Sequence, residues 1–230
     1  MNSITTDIGQ LAQARANVYR FLHSLYAGPP SAELIAGMKE ARFARYLEEV
    51  FGQSAALLIG YLAELRDDGV PDELRLEYDA LFRVPGHQYT KPYEAVYRDR
   101  RVVGDRVVDG LVWGPSTVAV KEFYIRAGAI LSSESPELPD FIGLELEFMG
   151  LLCQQEAAAW QRGDEETARR FLSAQQRFLD EHLTRWLDGF CDTMHEQARL
   201  DFYKGLAEIT RGYVHQDGEA VQRLMAELAG

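Results

Sequence analysis

Cysteine is scarce in this 230-residue chain: Cys153 and Cys191 are the only two. They form neither a CxxC pair nor a zinc-type spacing, which excludes a disulfide framework and a structural zinc site. Cys153 follows the apolar run Phe148-Met149-Gly150-Leu151-Leu152, so a buried thiol is expected. Cations are in the minority, with 24 Lys and Arg against 36 Asp and Glu and a net charge of −12. Such a surface repels phosphate backbones and excludes a nucleic-acid partner, whereas it attracts a basic peptide. Long apolar runs are missing too. The longest uncharged stretch, Val50 to Ala63, falls short of the roughly 20 residues that a bilayer crossing needs, so the chain is not expected in a membrane. The first cation is Arg15, so a basic leader region and an export signal are not expected, and the cytoplasm is the expected compartment.

Chemical motifs are equally sparse. No GxxxxGK[ST] or GxGxxG provides backbone N–H groups for a phosphate, and Gly104, Gly110 and Gly114 do not match either spacing. No HExxH occurs among the five histidines, and Asp192-x-x-His195 stands alone, so neither a metal nor another cofactor is expected. No GxSxG elbow appears, and neither cysteine has a basic neighbour to lower its pKa.

What is present is helical periodicity. The hydrophobic fraction of 47% and charged fraction of 26% are those of a globular protein, and a chain of this length buries roughly 70% of its unfolded surface. Ile8, Leu11, Ala12, Val18, Phe21, Leu22 and Leu25 mark a first helix, with Thr5, Thr6 or Asp7 as its cap and Gly28-Pro29-Pro30 as its stop. Ser31 caps a second; further helices run over Phe43–Phe51 and Ala55–Leu65, the latter ending at Asp67-Asp68-Gly69. Pro71 opens the next, whose buried stripe is Leu74, Tyr78, Leu81 and Phe82. From about 84 to 115 the helical period is lost. Val102-Val103 and Val107-Val108 fit a short hairpin around Gly104-Asp105, and an irregular stretch of this length points to function. Helix resumes from Ser116 to about Leu131, breaks at Ser132 to Pro139, and returns as the apolar helix Asp140–Trp160. A long helix from Glu165 carries apolar residues as far as Phe190, Phe202–Val214 follows, Gln216-Asp217-Gly218 reads as a turn, and Val221 to Leu228 closes the chain. The expectation is one all-α domain over 1–230, a bundle of about nine helices with one long irregular loop.

Glu145 and Glu147 lie among apolar neighbours in Phe141-Ile142-Gly143-Leu144-Glu145-Leu146-Glu147-Phe148-Met149. Two positions apart on a helix, they face different ways and are not a catalytic pair. A carboxylate buried there must be hydrogen-bonded or paired, as a clamp on a helix N-terminus or an arginine, with catalysis as the alternative.

Two segments, taken together, carry a resemblance. Glu77-Tyr78-Asp79-Ala80-Leu81-Phe82 precedes Lys91-Pro92-Tyr93-Glu94-Ala95-Val96-Tyr97, and Leu138-Pro139-Asp140-Phe141 leads into Glu145-Leu146-Glu147-Phe148-Met149. This order resembles the TorD/DmsD/NarJ family of redox-enzyme maturation chaperones, with its E(Y/W)xxLF helix, P(Y/W)ES-like loop and pDHxxxELeFM helix. His182-Leu183-x-x-Trp186 and Phe202-Tyr203-Lys204-Gly205-Leu206-Ala207 extend the likeness over roughly residues 10 to 215. Two positions depart from the family pattern: Phe141 replaces the histidine and Ala95 the serine.

The resemblance implies an all-helical cytoplasmic chaperone, a monomer or homodimer and not an enzyme. Its partner would be the apo catalytic subunit of a DMSO-reductase-family molybdoenzyme, with the twin-arginine signal peptide of that precursor. It would assist molybdenum cofactor insertion and delay export. By position, the client contacts it implies are Tyr78, Leu81, Phe82, Pro92, Tyr93, Glu94, Asp140 and Phe141, with Glu77 and Glu145 structural or peptide-binding. A structural accessory subunit of a redox complex, and an enzyme using a buried Glu145, are the alternatives.

Overall fold

The computed structural model describes residues 3–66, 72–128 and 137–229, with the side chains of those between 7 and 228. The turn at Asp67-Asp68-Gly69, the opening Pro71 and most of the break from Ser132 lie outside the described residues.

The chain is all-α, with eleven α-helices and one two-stranded hairpin among the described residues. The helices are α1 (Ser3–Ala27), α2 (Ala32–Met38), α3 (Ala41–Phe51), α4 (Ala56–Glu64), α5 (Asp72–Phe82), α6 (Glu94–Arg98), α7 (Pro115–Arg126), α8 (Ile142–Gln161), α9 (Glu165–Glu181), α10 (Leu187–Gln197) and α11 (Asp201–Ala229). Strands β1 (Arg101–Val103) and β2 (Arg106–Val108) pair antiparallel, Val102 opposite Val107. The stretch from 84 to 115 is therefore not one irregular loop: it holds α6 and the hairpin expected around Gly104-Asp105.

Two compact units divide these elements. The first comprises residues 1–23, 93–186 and 216–230, the second 24–92 and 187–215.

In the first unit, the antiparallel pair α8 and α9 is the frame. Gly163 turns the chain between them, and Asp164 caps α9 by accepting the N–H of Thr167 at 3.1 Å. Phe123, Phe148 and Phe178 meet with ring centroids 4.9–6.0 Å apart, all edge-on, the arrangement that ring quadrupoles favour. A buried polar network lies beside this core. Arg15 forks onto Asp217 at 2.6 and 3.0 Å and also reaches Glu156 at 3.2 Å and Gln175 at 2.6 Å. Tyr19 donates to Asp217 at 2.8 Å, and Trp160 to Glu156 at 3.1 Å.

That network explains one departure from the sequence reading. Gln216-Asp217-Gly218 is no turn, because Asp217 is needed inside, and α11 runs through it unbroken. The opposite departure occurs after Glu165. The long apolar pattern breaks at His182, and a 3₁₀ turn over Leu183–Arg185 separates α9 from α10. Helix α1 begins at Ser3, so Thr5, Thr6 and Asp7 lie inside it rather than capping it.

In the second unit, the stripe expected on α5 is buried as its spacing requires. Phe82 contacts the rings of Tyr26, Tyr78 and Tyr203 at 5.6, 5.0 and 6.1 Å. The phenols find partners: Tyr78 donates to the carbonyl of Tyr26 and Tyr203 to that of Leu74, both at 2.6 Å. Ser31 caps α2, accepting the N–H of Leu34 at 3.1 Å. Both cysteines are buried free thiols, Cys153 in the first unit and Cys191 in the second.

Candidate functional site

Helix α6 is one turn long and cannot hold itself together, since nucleating a helix fixes several residues for one hydrogen bond. Asp140 supplies what it lacks. Its carbonyl accepts the N–H of Glu94 at 3.0 Å, and its Oδ2 accepts the N–H of Ala95 and the hydroxyl of Thr117, both at 2.9 Å. Asp140 thus caps the helix that carries the Tyr93-Glu94-Ala95 sequence. Beside it, Tyr93 and Phe141 form an antiparallel bridge, with their rings 5.9 Å apart. The two motif segments of the first unit are therefore direct neighbours.

Beneath them lies a sealed group of carboxyls. Glu94, Asp140 and Glu145 are fully buried. Glu94 accepts from Arg98 of its own helix and lies 3.2 Å from Nδ1 of His182. Arg98 also donates to the carbonyl of Glu181 at 2.7 Å, which closes the C-terminus of α9. Glu145 Oε2 accepts the indole N–H of Trp186 at 3.1 Å. Its Oε1 and the Oδ1 of Asp140 accept no donor among the described residues. Burial raises the Glu145 carboxyl well above its ordinary range, and the Glu94 charge adds to the effect. Burial also raises Asp140, against the Ala95 and Thr117 hydrogen bonds that lower it. Protonating Glu145, which shares a hydrogen bond with Glu94, removes the charge conflict between these two carboxyls. The helix-terminus or arginine clamp expected of Glu145 is instead an indole clamp.

In the second unit Glu77 is the helix clamp. Its carboxylate accepts the N–H groups of Arg199 and Leu200 (2.9 Å for Leu200), just ahead of α11, where the positive end of the helix dipole lies. Tyr78, Leu81 and Phe82 are buried, Leu81 offering its carbonyl to the N–H and hydroxyl of Thr90 at 2.9 and 2.8 Å. Pro92, which closes this segment, is buried as well. Of the ten positions singled out from sequence, Tyr93, Glu94, Asp140, Phe141 and Glu145 are brought together in the first unit. Glu77, Tyr78, Leu81, Phe82 and Pro92 belong to the second.

Water reaches little of this. Tyr93 is half-buried, and its hydroxyl donates to Glu137 at 2.8 Å, also half-buried. Glu137 is thus the carboxylate at the rim, which motif matching passed over. A cavity of about 580 Å3 in the second unit is lined by Ser31, Leu34, Met38, Arg42, Phe43 and Tyr46 and contains none of these carboxyls.

The sequence profile of the nitrate reductase delta subunit family matches residues 40–192, more than half of the chain. The chain belongs to that family. Within it, the chain is similar to the chaperone protein TorD of Shewanella pealeana, 24% identical over 226 residues that cover 95% of both chains. It is likewise similar to TorD of Shewanella loihica, 27% identical over 96% of this chain and 99% of the relative. The selenate reductase assembly chaperone protein of Thauera selenatis is 31% identical over 66% of this chain and 75% of its own.

These relatives are chaperones, their family is not a catalytic one, and the chain is not an enzyme. Its two departures from the resemblance gain a physical account here. Ala95 loses a side-chain hydroxyl, but its contact with Asp140 is through the backbone N–H, which any residue but proline provides. Phe141 gives up a polar group and gains the Tyr93 ring. No helix among the described residues is long and apolar enough to cross a membrane.

Proposed function

We propose that residues 1–230 act as one TorD-like chaperone domain in the cytoplasm. The chain holds the apo catalytic subunit of a DMSO-reductase-family molybdoenzyme during cofactor insertion, binds its twin-arginine signal peptide and delays its export. The observation that carries this reading is the extent of the likeness: the TorD chaperones align along 95% or more of both chains, so the similarity is to a whole chaperone and not to a shared fragment.

Local chemistry supports a peptide-binding role. Tyr93 and Glu137 offer an aromatic ring and a carboxylate side by side at a half-buried rim, with Phe141 behind them. A twin-arginine segment presents guanidinium forks beside apolar residues, which such a pair accommodates. Asp140, Glu94 and Glu145 support this rim from below. Glu77, Tyr78, Leu81, Phe82 and Pro92 support their own unit in the same way. The surface charge of −12 favours a basic leader at longer range.

The test is affinity capture of the tagged chain from its native cytoplasm while a molybdoenzyme is being made, with mass spectrometry of the captured protein. The expected partner is an uncleaved catalytic subunit without its molybdenum cofactor. Capture of mature holoenzyme alone would replace this reading with the accessory-subunit one, which the family's description as a delta subunit favours. Glu137→Lys with Tyr93→Ala is expected to weaken capture of a leader peptide while circular dichroism stays unchanged.

A further inference from the structure

Exposed large apolar side chains are concentrated in one place. Val102, Val103, Val107, Val108, Leu111, Val112 and Trp113 are all open to water, with Val102 76% and Trp113 53% exposed. They occupy the hairpin β1–β2 and the segment that returns from it. A two-stranded ribbon exposed on both faces has no core to justify this composition.

The arm is built and presented, not loose. At its tip, Gly104 takes φ 62° in a two-residue turn, a conformation that suits hairpin twist. At its root, the N–H of Gly110 donates to the carbonyl of Val96 at 2.9 Å. A side chain at 110 would fall 1.9 Å from the Ala95 carbonyl oxygen, so only glycine fits. Ser116 fastens the far side, donating through its N–H at 3.1 Å and hydroxyl at 2.7 Å to Asp99. Between these anchors, Trp113 holds φ 69°, a region that bulky residues avoid and that costs free energy wherever it occurs. That strain holds an indole toward solvent, with Lys121 Nζ 6.0 Å from the ring centroid.

Register assigns the two faces of the ribbon. Val102 and Val107 are cross-strand partners and share one face. On the other face Arg101 pairs with Val108 and Val103 with Arg106, which sets two arginines diagonally across two valines. Arg100 is paired to Asp109 at 3.3 Å. In a chain of net charge −12, this face is basic and apolar. On each outer edge, every second residue turns its N–H and C=O away from the partner strand, ready to template a further strand.

We infer that the arm 101–113 is a strand-accepting surface for an extended segment of the client polypeptide, of alternating acidic and apolar residues. Backbone pairing would come from the hairpin edge, charge from Arg101 and Arg106, and an anchor from Trp113. A twin-arginine leader has the wrong sign for this face. The segment therefore belongs to the body of the client, and an immature subunit still has such strands unpaired. This deepens the chaperone reading above and rests on it for the identity of the partner.

The probes are the peptides EVTVEV and KVTVKV, followed by amide NMR and hydrogen exchange on the full chain, and then the precursor captured as above. EVTVEV is expected to protect amides within 101–108 and to bind at least about tenfold tighter than KVTVKV. Val107→Pro, which removes one strand N–H, and separately Trp113→Ala are each expected to weaken EVTVEV binding and precursor capture at least about tenfold. Both positions are exposed, so thermal melting should be unchanged. Equal binding of the two peptides, or no protection in the hairpin, would overturn the proposal. So would anionic vesicle binding or self-association that Val107→Pro abolishes while leaving EVTVEV binding intact. If the unaltered chain captures a precursor and both variants capture it equally, the arm is excluded and the chaperone reading stands. If no precursor is captured but EVTVEV protects the hairpin, the strand-accepting surface stands and the client does not.

Discussion

Arg15 shows what a single buried charge commits a chain to. Its guanidinium meets Asp217, Glu156 and Gln175 inside the first unit, so removing any one partner leaves a charge short of what it faces. Asp217→Ala is expected to cost about 3–5 kcal/mol, read as a lower denaturant midpoint. Arg15→Met together with Asp217→Leu and Glu156→Gln should recover most of that loss, because an apolar replacement removes both the attraction and the desolvation cost. Glu145 makes the matching argument for pH. Its folded value is raised, by burial first and by Glu94 second, so the folded state holds a proton that the unfolded state gives up. Its stabilising effect is complete below the unfolded carboxylate value of about 4.3 and is lost as pH rises through the folded value. A glutamine at this position would mimic the protonated acid toward Trp186 and Glu94. The variant Glu145→Gln should therefore match the parent near pH 4.5 and exceed it increasingly toward pH 8, by up to about 1.4 kcal/mol for each pH unit until the folded value is passed. A constant difference in melting temperature across that range would refute the assignment.

At the scale of elements, the two motif carboxylates act on helices they do not belong to. Glu77 of α5 closes the N-terminus of α11, and Asp140 closes that of α6. Glu77→Ala should cost about 1–3 kcal/mol, since two N–H groups lose their acceptor, with hydrogen exchange accelerated first in the opening turn of α11. Leu200 N–H should exchange faster in that variant, while the α5 amides keep their protection. Helix existence was legible in the sequence because apolar spacing is local. The α5 stripe, the apolar α8 and the Gly104-Asp105 hairpin all follow from it. What sequence spacing missed was set by distant partners. Asp217 looks like a turn residue until Arg15 is placed beside it, and His182 looks helical until its ring is drawn to Glu94. Helix α6 has no periodicity to read at five residues, and the cap that supports it comes from the distant Asp140. For the same reason, the motif residues were found by resemblance, but not their roles. Burial turned Asp140, Glu94 and Glu77 into caps and ion pairs, while the accessible Glu137 belongs to no motif.

The whole molecule carries a charge of −12, yet its basic and apolar arm presents Arg101 and Arg106 to solvent. A net acidic charge attracts a basic peptide at long range, whereas the proposed action of the arm is at contact range. The two effects respond differently to salt. At an ionic strength of about 50 mM, charges act over more than about 10 Å, and at about 500 mM over less than half that distance. Steering by the whole surface is a property of the association rate and is screened first. Strand pairing and a seated indole govern the dissociation rate and are screened little. For a twin-arginine leader peptide, raising NaCl from about 50 to about 500 mM should therefore slow association about tenfold and leave dissociation nearly unchanged. For a precursor lacking its leader, association should change much less over the same range, and dissociation should quicken only by the share that Arg101 and Arg106 contribute. Stopped-flow measurements on the two ligands decide the matter. A leader whose association ignores salt would mean that the acidic surface serves solubility alone. A leaderless precursor whose dissociation quickens with salt by much more than about tenfold, the preference assigned to Arg101 and Arg106, would mean that ion pairs, and not the edge and the indole of the arm, hold the client.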